Sequence, residues 1–73
     1  MRASDASRAI AERVREEMSW QSVTAASVAR QAGIPARRLR RRLSGESPFL
    51  LNELEWVANA LGVKPTDLIP RGL

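Results

Sequence analysis

Neither cysteine nor histidine occurs in these 73 residues. A disulfide framework and a thiolate or imidazole metal site are therefore excluded. The same gaps remove the commonest nucleophile, general base and zinc ligands, leaving scattered Ser, Asp and Glu as the only catalytic candidates. No enzyme, cofactor or small-molecule substrate is expected. Aromatic residues make up only 4% of the chain, and no alternation of apolar and polar residues lasts long enough for a strand. Missing too is any run near the roughly 18 apolar residues that cross a bilayer, and the N-terminus lacks an apolar signal core. No membrane partner and a cytoplasmic location are the expectations. A chain this short has room for one core, so residues 1–73 read as a single domain stabilised by apolar packing alone.

The last absence is local. No acidic residue lies between Glu17 and Glu46, whereas Arg30, Arg37, Arg38, Arg40, Arg41 and Arg42 all fall in that window. Without those six the remainder carries six cations against eight anions, although the whole chain is +4. A localised positive field on a mildly acidic body is the footprint of a face that binds a polyanion. A solvated charge run is the bland alternative, but five arginines in six positions repel one another unless a partner supplies negative charge.

What is present in quantity is helix punctuation. Ser4 or Asp5 can cap a first helix over about 5–18, with Ala6, Ala9, Ile10, Val14 and Met18 at helical spacing. The pattern breaks over 19–23, and Thr24 can cap a second helix whose apolar positions are Val28, Ala29 and Ala32. Gly33 ends it, because glycine takes the left-handed conformation past a helix terminus without steric penalty. Pro35 stands where a third helix begins, and Leu39 and Leu43 give that helix a narrow apolar stripe before Ser44 and Gly45 stop it. Leu51, Leu54, Val57, Ala58 and Leu61 mark a fourth helix closing at Gly62, and residues 65–69 a fifth turn that Pro70 ends. The fold class is all-α, with four or five short helices around one core.

The second and third helices lie about three residues apart, which is the geometry of a helix-turn-helix over about 24–45. That stretch reads TAASVARQAGIPARRLRRRLSG. Val28, Ala29, Gly33, Ile34, Leu39 and Leu43 form the core of the motif: Ala29 is small enough for the helices to approach, Gly33 turns the chain, and Ile34 and Leu39 plug the angle between them. On a wheel of 100° per residue with Leu39 and Leu43 inward, Arg37 and Arg41 point nearly opposite the core. They are the expected base readers, since the planar guanidinium pairs with guanine O6 and N7 in the major groove. Arg38 and Arg40 lie on the shoulders and Arg42 nearer the core edge, all three within reach of flanking phosphates. Thr24 and Ser27, at the start of the second helix, can bind a phosphate through hydroxyl and free N–H groups, or Thr24 can serve only as a cap. Arg30 reaches either a phosphate or an acid on the first helix. Trp20, in the loop after the first helix, is expected to pack, while Trp56 sits at the edge of the fourth helix as either an interface residue or a core-edge cover.

The motif resembles the lambda-repressor-like, or Cro/XRE-type, domains of phage and bacterial regulators. Val28-Ala29, Gly33-Ile34, Leu39 midway along the third helix and the closing Leu43-Ser44-Gly45 are similar to theirs. So is the run SPFLLNELEWVANALGVKPTDLI over 47–69, which looks like the family's last two helices. The likeness spans about 5–69. It implies a sequence-specific DNA-binding regulator in a bacterial host cell, most simply a phage-type repressor that inserts its third helix into an operator. An excision factor or an antitoxin-type DNA binder uses the same module, and a basic protein-interaction module is the alternative outside DNA binding. Three positions depart from the family. Arg42 replaces an aliphatic residue, Pro35 replaces a Ser or Thr cap, and Ala25 and Ala26 stand where a polar reader is common, which throws the readout onto the third helix. The spare apolar surface expected, around Leu50, Trp56 and residues 68–73, is too small for a strong free dimer. The expected partner is therefore double-stranded DNA with a pseudo-palindromic operator, bound by a monomer or weak homodimer that pairs on it.

Overall fold

In the computed structural model, which describes residues 5–71, the first helix outruns its apolar stripe. α1 spans Asp5–Gln21 and buries Ala11, Val14 and Met18. The sequence pattern ends at Met18, but the helix continues until Ser22 takes a left-handed φ of 54° and the Val23 N–H donates back to the Met18 carbonyl at 3.1 Å. The added turn has a use: the Gln21 side-chain amide donates to the Leu61 carbonyl at 2.7 Å, joining the C-terminal ends of α1 and α4. Trp20 does not pack as expected. It lies on this last turn, about 200° round from Met18, and is 85% exposed. The possible cap Ser4 lies outside the described residues.

α2 spans Ala25–Ala32 and α3 spans Ala36–Leu43. Thr24 caps α2 by accepting the Ser27 N–H at 3.1 Å. Gly33 closes it at φ 74°, and the Ile34 N–H reaches the Ala29 carbonyl at 2.9 Å, a Schellman arrangement. Pro35 is the residue just before α3 rather than its first helical one, and it makes no side-chain cap bond. α4 spans Leu51–Leu61, and a 3-10 turn, Pro65–Leu68, follows.

Val14, Met18, Val28, Ala29, Ile34, Leu39, Leu43, Leu54, Val57, Ala58, Leu61 and Leu68 form one apolar cluster to which every helix contributes. The all-α class of four or five short helices expected from the sequence is what the chain adopts, as four α-helices and a 3-10 turn with no strand among the described residues. Two expectations for the C-terminal part are corrected. Leu51 opens α4 but is 73% exposed, because the inward stripe runs through Glu53, Leu54, Val57, Ala58 and Leu61. Leu68 is fully buried, so it adds nothing to the spare apolar surface.

Candidate nucleic-acid interface

The stiff pairing of α2 and α3 fixes what α3 presents. Leu39 and Leu43 are buried, so the helix has one orientation about its own axis. Arg37, Arg38, Arg40 and Arg41 are exposed, and Arg42 is half-buried. A shallow concave strip of about 270 Å³ lies between Pro35, Arg37, Arg38, Arg41 and Arg42. Among the described residues, no carboxylate comes within ion-pair distance of Arg37, Arg40, Arg41 or Arg30. The alternative that Arg30 pairs with an acid on α1 is therefore not what the fold shows. Four unpaired guanidinium groups on two adjoining helices make a field that only an outside anion can neutralise.

The end of α3 is held as firmly as its inner face. An Arg15 Nη donates to the Leu43 carbonyl at 2.7 Å, satisfying one of the free C-terminal acceptors of the helix. Three of the arginines, Arg40, Arg41 and Arg42, sit in its last turn, where the helix dipole favours cations.

Thr24 and Ser27 stand at the start of α2. The Thr24 oxygen is used as a cap, but its hydroxyl hydrogen is still available to donate. The two readings of Thr24 are thus compatible. Val28, Ala29, Ile34, Leu39 and Leu43 are all buried, and Gly33 sits at the turn with open space around it, so its positive φ alone demands glycine.

Sequence reasoning missed Glu53. This carboxylate is only 1% exposed and accepts Arg42 Nε at 2.8 Å and an Arg42 Nη at 3.2 Å. It also accepts the Leu50 N–H at 3.0 Å, capping α4, and an Arg38 Nη stands 3.9 Å away. The guanidinium of Arg42, expected on a phosphate, is thus turned inward, its side chain 18% exposed. Two signals in the sequence pointed there: a glutamate on the apolar stripe of α4, four residues before Val57, and at the third position of that helix, where it can reach back to the N-cap N–H.

The Cro/C1-type HTH DNA-binding domain is matched over residues 13–71. The chain belongs to this family. As a Cro/C1-type protein it is a DNA-binding transcription regulator whose partner is double-stranded DNA. Its fold is also that of the restriction-modification controller protein C.AhdI from Aeromonas hydrophila. The crystal structure of that protein superposes with a TM-score of 0.82 at 19% identity, over 86% of this chain and 96% of that one. No curated protein matches the sequence. Among the described residues, no helix is long and apolar enough to cross a membrane. Relative to the Cro/C1-type pattern, Arg42 at an aliphatic position is accounted for by Glu53, which supplies the counter-charge that burial of a guanidinium needs.

Burial pushes the Glu53 carboxyl up, but the Arg42 hydrogen bonds, the Leu50 N–H and the charges of Arg42 and Arg38 outweigh it, leaving the pKa below the ordinary value of 4.5. A carboxylate with a depressed folded pKa adds stability above its unfolded pKa, and that stability is lost as pH falls through the folded value. The melting temperature is therefore expected to show no Glu53-dependent change between pH 7 and about pH 5.5, and to fall below about pH 4.5. In E53Q the acid-side fall should be visibly shallower than in wild type. Identical acid limbs in the two proteins would show that Glu53 is not a titrating stabiliser.

Proposed function

We propose that the protein is a sequence-specific repressor of the phage type, which lays α3 in the major groove of an operator and blocks polymerase. The observation that carries this reading is the unpaired, exposed set Arg37, Arg40 and Arg41 on a helix whose opposite face is locked into the core. In it, Arg37 and Arg41 pair with guanines, Arg40 and Arg30 reach phosphates, and Arg38 contributes to the phosphate set only in part because Glu53 stands 3.9 Å from it. The Thr24 hydroxyl and Ser27 hold a further phosphate at the start of α2. Arg42 leaves the phosphate group of residues because its fork is engaged by Glu53.

Residues 1–73 act as one reading unit with one recognition helix, so two copies are needed on a pseudo-palindromic site. Trp56, Leu50 and Leu51 are the exposed apolar residues at the start and middle of α4. With Trp20 at the end of α1 and Ile69 after the 3-10 turn they are the large apolar residues exposed among the described residues, and this reading takes them to support a weak free dimer at most, with pairing completed on DNA. The second reading is a controller of the C.AhdI kind, favoured by the overlap of the two folds over nearly the whole of that protein.

Selection of bound sites from random duplexes tests the proposal. Half-sites repeated with their centres about 10 base pairs apart are expected. Sedimentation at micromolar concentration should give a monomer, and two copies on the selected duplex. A tight dimer without DNA, or one copy on a non-repeated site, would overturn the pairing. Placed across a reporter promoter, the selected site should lower transcription when the protein is present, and a rise would favour the controller reading over the repressor.

A further inference from the structure

The five arginines of α3 are not equivalent. Arg37, Arg40 and Arg41 are free of carboxylates. Arg42 is held by both oxygens of Glu53, and Arg38, 51% exposed, has an Nη 3.9 Å from the same carboxylate. Glu53 itself has little freedom, since it is buried and its Oε1, which accepts Arg42 Nε, also accepts the Leu50 N–H at 3.0 Å. A fixed anion thus stands behind one edge of a cationic recognition helix.

Taking α3 to be the DNA-binding helix, we infer that Glu53 is a positioning residue that sets specificity by withdrawing Arg42 from phosphates and tethering Arg38. The physical reason lies in how arginines act on DNA. Each guanidinium that reaches a phosphate strengthens binding to every sequence alike and adds about 0.9 to the slope of log affinity against log salt. Discrimination depends on the ratio of cognate to random affinity, so extra phosphate contacts mask the contribution of the base readers against a large excess of random DNA. A buried carboxylate limits how many of the five arginines can join that sequence-blind set. Its bidentate fork with Arg42 also fixes the end of α3 against the start of α4 more narrowly than apolar contact does. A purely structural ion pair would contribute that second effect and leave the salt slope untouched.

The test measures affinity of the full chain for a random-sequence 20-base-pair duplex between 50 and 200 mM salt. R40A serves as the control and should lower the slope by about 0.9. E53Q should steepen it by about 0.9 for each arginine released, so the ratio of affinities at the two salts grows by about 3.5-fold per arginine. A slope in folded E53Q equal to or below wild type, with R40A behaving as stated, would overturn the inference. Should E53Q not fold, the double variant E53L/R42L decides, because it keeps the net charge and replaces the pair by apolar side chains. Its slope should rise by about 0.9 as Arg38 is released. An unchanged slope would mark the pair as purely structural, and a fall of about 0.9 would show that Arg42 is a phosphate contact after all, either result overturning the inference. A wild-type slope near zero is a different failure, since it would overturn the reading of α3 as the DNA-binding helix.

Discussion

Leu39→Ala should leave the chain at or near complete unfolding. Leu39 is fully buried at the middle of α3, and with Leu43 and the partly buried Ala36 it forms the apolar stripe by which that helix is held in the shared core. Truncating a buried leucine costs about 2 to 5 kcal/mol, the upper end applying where the surroundings cannot collapse into the cavity. Collapse is opposed here because α3 is pinned at both ends, by the turn at Gly33 and by the Arg15 and Glu53 contacts at its C-terminal end. A small domain has only about 5 kcal/mol in total to lose, since marginal stability scales with length. At about 4 to 8 °C per kcal/mol for a domain of this size, the melting temperature should drop by at least about 8 °C. Circular dichroism melts would check it. A midpoint within a degree or two of wild type would mean that α3 is not docked through Leu39.

That α2 and α3 form a helix-turn-helix was legible in the sequence because their signals are local. Thr24 caps, Gly33 turns, and Leu39 and Leu43 repeat at helical spacing, each within one or two turns of its partners. The outward direction of Arg37 and Arg41 followed from the same stripe. What failed to show were features that depend on distant contacts or on an apolar residue facing out. Helical spacing puts Leu51 on the inner stripe and a loop after Met18 lets Trp20 pack, yet Trp20 lies on the helix itself and the phases set by Met18 and by Leu54 turn both side chains to solvent. Glu53 was passed over for the opposite reason. A charged residue on an inner stripe makes sense only with its partner, and Arg42 is eleven residues away on another helix. The unusual arginine and the misplaced glutamate each break the local pattern, and together they explain one another.

Arg37→Ala and Arg41→Ala should each weaken binding to the selected operator by about 1 to 3 kcal/mol, which is roughly five- to 150-fold, and relax the preference at one guanine. The magnitude is that of a bidentate guanine contact, which a neutral methyl cannot replace and which a lysine could not mimic in geometry. Both side chains are exposed and carry no ion pair among the described residues, so their loss should leave stability nearly unchanged. The change in affinity can then be read directly. Arg40→Ala provides the contrast, since an arginine on the shoulder of the helix should weaken cognate and random duplexes by the same factor. Arg38→Ala should do likewise with a smaller effect, because Glu53 already draws part of that charge away from the groove. Titration of each variant against the selected duplex, and against copies with single guanines replaced, separates the two classes. If Arg37→Ala and Arg41→Ala lower cognate and random affinity alike, both are phosphate contacts, and the assignment of these two arginines as the base readers is overturned.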